Sequence, residues 1–253
     1  MLNFAIETAR EAGQILLEKF GRKIDIFKKG DINLVTEADL ASEKLIIGKI
    51  RSYYPKHSIL AEESGEALID GEIVWKWIID PLDGTTNYAH GYPCFCVTLA
   101  LEHNGEIVVG VTFDPTRDEL FAAEKGNGAI LNGRQIRVSD TEKLGEALIV
   151  TGFPYDVSRR NDFARHFTEF VYKSRGLRRD GSAAIDMAYV ACGRFDGFWE
   201  EGLNPWDVAA GVLLIEEAGG RISYYDDSPF SIYAPPICAS NGLIHAEMLK
   251  ILK

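Results

Sequence analysis

The chain has 253 residues, of which 46% are hydrophobic and 26% charged, the proportions of a folded globular protein with a sizeable core. These values exclude a disordered tail, a collagen-like chain and a coiled coil, and no apolar run reaches the ~18 residues of a membrane span. With 38 acidic against 27 basic residues the net charge is −11, which argues against general binding to nucleic-acid phosphates. The N-terminus lacks the basic start and apolar stretch of a secretory signal, so a cytoplasmic location is expected.

Phe4, Ile6, Ala9, Gly13, Leu16, Leu17 and Phe20 recur at helical spacing over 3–20, and Gly21 closes the segment. A second helix is predicted to start near Thr36, to carry Leu40, Leu45, Ile46 and Ile50, and to stop at Pro55. Short β-rich runs follow at 58–61, 73–80, 94–102, 106–113 and 118–123, and Gly126-x-Gly128 reads as a hairpin turn. Beyond about residue 140 strands are predicted at 147–151, 195–200, 220–224 and 237–240. Helices are predicted at 161–175, 183–192, 205–218 and 243–252, the third opened by Asn204 as cap and Pro205 at the first helical position. The fold class is mixed α and β. No linker-like stretch interrupts the chain, so residues 1–253 are expected to form one domain of two interlocked halves, about 1–140 and about 141–253.

Carboxylates gather beside turns and apolar strands. Trp77-Ile78-Ile79 runs into Asp80-Pro81-Leu82-Asp83-Gly84-Thr85-Thr86-Asn87, Ser58-Ile59-Leu60-Ala61 runs into Glu62-Glu63, and Asn204-Pro205-Trp206-Asp207 opens an apolar helix. Asp39 and Asp207 each have an ordinary account as first-turn acids, and Glu62 and Glu63 as solvated ones. The turn at 80–87 resists that account. Like charges ~4 Å apart repel by about 4 kcal/mol at an effective dielectric of 20, which a cation or a retained proton must offset. All-oxygen ligands point to a hard cation, Mg²⁺ before Mn²⁺ or Ca²⁺. The five histidines, His57, His90, His103, His166 and His245, form no zinc-like pair. Cys94, Cys96, Cys192 and Cys238 contain no C-x-x-C and read as reduced core residues, Cys94 and Cys96 sharing one strand face. Phosphate-binding P-loop and G-x-S-x-G signatures are absent, and a calcium EF-hand fails because Gly91 stands where its final Glu is needed. Gly84-Thr85-Thr86-Asn87 could open a short helix whose N–H groups face a phosphate, with the Thr85 hydroxyl orienting the attacking water.

Asp80–Asn87 together with Trp206-Asp207-Val208-Ala209-Ala210-Gly211 resembles the two signatures of the inositol monophosphatase family of Mg²⁺-dependent, lithium-sensitive sugar phosphatases. Ala61-Glu62-Glu63-Ser64 and Leu34-Val35-Thr36-Glu37-Ala38-Asp39 are similar to its other landmarks, in the same order. The resemblance implies a layered αβαβα sandwich, a homodimer, and two or three Mg²⁺ ions. It implies Glu62, Asp80 and the Leu82 carbonyl as ligands of a first metal, and Asp80, Asp83 and Asp207 as ligands of a second, with a weaker third ion near Glu62. Thr85 with Asp39 resembles the pair that activates water, with Glu62 a further catalytic acid. The amides of Gly84 and Thr85 are implied phosphate contacts, helped by Lys28 or Lys29. Asp83, Ser182, Ala183 and Glu200 are implied contacts to the sugar ring.

An acid at Glu200 suits a neutral polyol, so inositol-1-phosphate is the expected substrate. The same fold serves fructose-1,6-bisphosphatases, some with dual activity, 3′-phosphoadenosine 5′-phosphate phosphatases and histidinol-phosphatases. Arg175, Arg178 and Arg179 offer either a site for a second phosphate or the solvated end of a helix. Some bacterial relatives of the family also bind the transcription machinery, which would make the chain a binding protein. A structural Ca²⁺ module is a further alternative. The partner expected here is a small phosphorylated polyol or sugar, with neither nucleic acid nor membrane.

Overall fold

A computed structural model describes residues 1–22, 26–29, 33–67, 74–153, 160–234 and 236–253, the side chains at 26–29, 33, 34, 160 and 161 lying outside the description. The chain opens with α1 (Leu2–Lys19), the hairpin β1 (Ile26–Lys29) and β2 (Asn33–Thr36), and α2 (Glu37–Tyr53). Next come β3 (Ser58–Ala61), β4 (Gly65–Ala67), β5 (Trp75–Asp83), the short α3 (Thr85–Ala89), β6 (Cys96–His103), β7 (Glu106–Asp114) and β8 (Glu119–Glu124). β9 (Ala129–Leu131) and β10 (Arg134–Gln135) precede β11 (Leu148–Thr151), α4 (Arg160–Lys173), β12 (Gly176–Arg178) and α5 (Ala183–Ala191). The end of the chain is β13 (Gly197–Glu200), α6 (Pro205–Glu217), β14 (Arg221–Ser223), β15 (Ile237–Ser240) and α7 (His245–Leu252).

One sheet has the strand order β10-β9-β8-β7-β6-β5-β3-β4 and a second the order β12-β11-β13-β15-β14. α1 and α2 pack on one face of the first sheet. α5 and α6 lie between the two sheets, and α4 and α7 close the outer face of the second. That succession is the αβαβα sandwich expected from the sequence. Strands buried on both faces read as unbroken apolar runs. Trp77 and Ile79 of β5 face α1 and α2, whereas Ile78 between them faces Ala209 and Ala210 of α6. In β13 Phe198 packs inward and Trp199 outward in the same way.

Close backbone approach sets α6 on the first sheet. A Cβ on Gly110 of β7 would fall 2.9 Å from the Ala210 carbonyl oxygen, so only glycine lets helix and strand meet there. The N-terminus of α6, with Asp207, is thereby brought to the end of β5.

Several elements differ from the sequence reading. The β1–β2 hairpin, β4 and β12 were not expected; all are short, and neighbouring strands pair them through the backbone rather than through an apolar pattern. α4 stops at Lys173, two residues short of its predicted end, because Gly176 already begins β12. Arg175 and Arg178 therefore lie on a turn and a strand rather than on a helix end.

Candidate active site

In a regular strand residues three apart point to opposite faces. Asp80 and Asp83 escape that rule through a β-bulge. Asp80 pairs with Thr98 but Asp83 with Cys96, so one extra residue of β5 is accommodated between them. Pro81, which has no N–H to donate, sits in this bulge, where the ladder does not need one. Parallel pairing of β3 with β5 sets Ala61 beside Ile79, and the Glu62 amide donates to the Ile79 carbonyl at 3.2 Å. Glu62 is thus placed next to Asp80, and the two carboxyl groups share a hydrogen bond.

The acids are held by their backs. The Leu82 amide donates to Asp80 Oδ1 at 2.9 Å. Asp83 Oδ2 accepts from the Ser182 hydroxyl at 2.6 Å and the Ala184 amide at 2.7 Å. Asp207 Oδ2 closes the N-terminus of α6 by accepting from the Asn204 amide at 2.6 Å. Burial, then Asp207 and Glu63, push Glu62 up to about 8. Burial and Asp83 push Asp207 up to about 7. Asp80 is raised well above the carboxylate range by burial and by Glu62, Asp83 and Asp207. Burial raises Asp83 against the pull of its Ser182 bond.

No group of three acid, histidine or cysteine side chains among the described residues stands ready closed around a metal ion. The coupling of the acids nonetheless fits one. Two carboxyl groups in hydrogen-bond contact must hold a proton between them or a cation in its place. The donor set is all oxygen, which suits Mg²⁺. Glu62, Asp80, Asp83 and Asp207 are the side chains that would hold it.

Asp39 is fully buried at the start of α2. Its Oδ2 accepts from the Thr36 amide at 2.8 Å and the Thr36 hydroxyl at 2.5 Å, the reciprocal capping box read from the sequence. Burial outweighs these bonds and lifts its carboxyl to about 6. The Thr85 hydroxyl stands 3.3 Å from Asp39 Oδ1 and 3.0 Å from the Leu82 carbonyl, so it can donate to either. Gly84 precedes α3 at φ +97°, and a Cβ there would meet the Cys94 carbonyl at 2.8 Å; no other residue fits. Asn87 then ties α3 across the site, donating to the carbonyls of Cys94 and Asp180 at 2.8 Å each.

Beside Asp83 and Asp207 opens a pocket reached by Ser182, Ala183, Glu200 and Arg179. Burial and the nearby Asp207 raise Glu200, and Arg179 opposes them. The Arg179 guanidinium lies 4.6 Å from the centre of the Phe153 ring. The Ser182 hydroxyl donates to Asp83 Oδ2 and accepts from the Ile185 amide at 3.4 Å, which fixes it beside that acid in the pocket wall. Arg179 faces the pocket while the Arg178 side chain donates to the Leu177 carbonyl, so the three-arginine cluster is split. The side chains of Lys28 and Lys29 lie outside the described residues. All four cysteines are free, and Cys94 and Cys96 pack with Ala184 and Ile185.

Sequence reasoning missed Gly152, Asn87 and Asp186 as parts of this site. For Asn87 the signal was its place in the acidic turn. For Gly152 and Asp186 the sequence carries none, because their neighbours are set by the packing of β11, β13 and α5.

The chain belongs to the inositol monophosphatase family, whose family model matches residues 1–253. It is 46% identical to an inositol-1-monophosphatase of Synechocystis sp., over 99% of this chain and 88% of that protein. A protein of Pseudomonas aeruginosa named Nus factor SuhB is 42% identical, over 100% of this chain and 96% of its own length. The solved inositol monophosphatase of Anabaena superposes with a TM-score of 0.89 at 48% identity, covering 99% of this chain and 94% of that one. Family membership makes the chain a phosphatase. Among the described residues no helix is long and apolar enough to cross a membrane.

Proposed function

We propose that this chain is a Mg²⁺-dependent phosphomonoester hydrolase whose main substrate is inositol-1-phosphate, released as myo-inositol and phosphate. The observation that carries the choice of substrate is Glu200, a buried carboxyl in the pocket beside Asp83 and Asp207. A carboxyl there accepts hydrogen bonds from ring hydroxyls and repels a second phosphate. Arg179, a single guanidinium set against Glu200 and Asp186, is a poor counterpart for a bisphosphate.

Bound Mg²⁺ supplies charge neutralisation for the phosphoryl oxygens and a lowered pKa for water. The residues do the rest. The first amides of α3, which have no acceptor within the helix, receive phosphate oxygens. Gly84 lets the turn ahead of those amides close against Cys94 and Phe95, where a Cβ would clash. Thr85 orients the attacking water by accepting its proton-bearing bond while donating its own proton to Asp39, which is ionised above about pH 6. Ser182 and the Ala184 amide fix Asp83. Lithium sensitivity, a homodimer and a cytoplasmic location accompany this reading as family expectations.

The test is phosphate release from inositol-1-phosphate and fructose-1,6-bisphosphate side by side, with Asp83→Asn as control. The expected result is Mg²⁺-dependent release, at least about tenfold better in kcat/KM for inositol-1-phosphate and lost in the variant. Equal or reversed preference moves the assignment to a bisphosphatase; release that persists in EDTA ends the metal reading. The 42% identity to the protein named Nus factor SuhB favours a second, binding role. Asp83→Asn separates the two, since it removes phosphate release and leaves a docking surface intact.

A further inference from the structure

Asp186 stands in the first turn of α5 with 1% of its surface exposed, and its Oδ1 has no hydrogen-bond partner. A buried carboxyl oxygen left unmatched carries the full desolvation penalty of the group, so a native fold that keeps one has a use for it. Helix capping does not account for it, because Ser182 caps α5 by accepting from the Ile185 amide at 3.4 Å. Nor does ion pairing, since among the described residues no salt bridge to Asp186 is formed. The side chain lines the same pocket as Glu200, Arg179, Ser182 and Asp83. Asp180, Glu200 and Asp83 surround it with like charge, and Arg179 opposes them.

Beyond Asp83 and Asp207 of the acid cluster, the pocket therefore has two further carboxyl groups in its wall, on α5 and β13, and one guanidinium resting on Phe153. A second anion meets two repulsive groups there. A hydroxyl meets two acceptors. We propose that Asp186 is a second hydroxyl-binding residue of the leaving-group site, its Oδ1 accepting a hydrogen bond from a ring hydroxyl adjacent to the one taken by Glu200. This rests on the phosphatase reading above and narrows its substrate class to cyclic polyol phosphates with neighbouring hydroxyls. An aromatic leaving group has nothing to offer either acid.

The test compares wild type, Asp186→Ala and the near-isosteric Asp186→Asn as full-length, Mg²⁺-loaded enzyme on inositol-1-phosphate and p-nitrophenyl phosphate. Asp186→Ala is expected to raise KM for inositol-1-phosphate about ten- to a hundredfold. Its kcat, its kinetics on p-nitrophenyl phosphate and its Mg²⁺ half-saturation should all stay within about threefold. Asp186→Asn, which keeps an acceptor oxygen, should lie between Asp186→Ala and wild type. Equal losses on both substrates, or a shifted Mg²⁺ dependence, would assign Asp186 to the acid cluster and overturn the proposal. Unchanged KM in both variants overturns it as well. Wild type that releases phosphate from p-nitrophenyl phosphate but not from inositol-1-phosphate would instead remove the polyol reading itself, and this proposal with it.

Discussion

The carboxylate of Glu200 rests on the α-carbon of Gly152. A methyl group at residue 152 would stand 1.9 Å from Glu200 Oε1 and 2.2 Å from its Cδ, closer than any real contact. Glycine is needed here for space and not for backbone freedom, since no left-handed φ is involved.

Gly152→Ala should therefore push the Glu200 carboxylate out of place while leaving the backbone as it is. The expected outcome is a KM for inositol-1-phosphate raised about tenfold, or 1.4 kcal/mol, with kcat on p-nitrophenyl phosphate within about twofold. Steady-state kinetics on the two substrates checks it. Equal loss on both would show that residue 152 serves the acid cluster instead.

Removal of the Thr85 hydroxyl should cost the water its orientation. Thr85→Val is expected to lower kcat about 10²- to 10⁴-fold with little change in KM, and Thr85→Ser to recover most of it. The hydroxyl is 3.3 Å from Asp39, so Asp39→Asn should lower kcat similarly, and the double variant should lose little more than either single one. Losses that simply multiply would mean that the two residues act separately.

The raised acids set the pH dependence of the metal-free protein. Glu62 at about 8, Asp207 at about 7 and Asp39 at about 6 all lie above their values in an unfolded chain. Folded protein keeps those protons where the unfolded chain has released them. Their contribution to stability is full below about pH 4 and is lost as pH rises through about 6 to 8. In EDTA, urea midpoints should fall between about pH 5 and about pH 8. Saturating Mg²⁺ should flatten or reverse the slope, because it binds the ionised acids. Equal EDTA midpoints at the two pH values would contradict the coupling of these acids.

His245 gives the opposite sign. It is fully buried, with Nε2 and Nδ1 each 2.9 Å from a serine hydroxyl, those of Ser223 and Ser240. Burial lowers it to about 4, so the stability it supplies is complete above about pH 6.5 and fades as pH falls toward 4. The stability lost in His245→Asn should shrink as pH falls through that window. Differences between variant and wild type cancel the carboxylate effect. A constant difference from pH 7 to about pH 4.5 would show that the imidazole is not held neutral.

Much of the site could be read from the sequence because the acids sit in turns whose order along the chain survives folding. What could not be read was why they meet. Alternation along β5 would have set Asp80 and Asp83 on opposite faces, and only the bulge at Pro81 reverses that. Glu62 reaches Asp80 through parallel pairing of β3 with β5, a non-local fact. The helices and long strands announced themselves by apolar period, whereas the β1–β2 hairpin and β12 are three or four residues held by backbone bonds. Gly152 and Asp186 acquire meaning only from what the packed layers bring against them.

Asn87 reaches the Asp180 carbonyl across 93 positions of chain, and Asp83 reaches the Ala184 amide across 101. During synthesis the N-terminal acids therefore leave the ribosome long before the groups that restrain them. Until then Asp83 lacks the Ser182 and Ala184 donors that hold it, and Asn87 lacks one of its two acceptors. Asp207 is released later still, so the four acids come together only when the second half of the chain packs against the first.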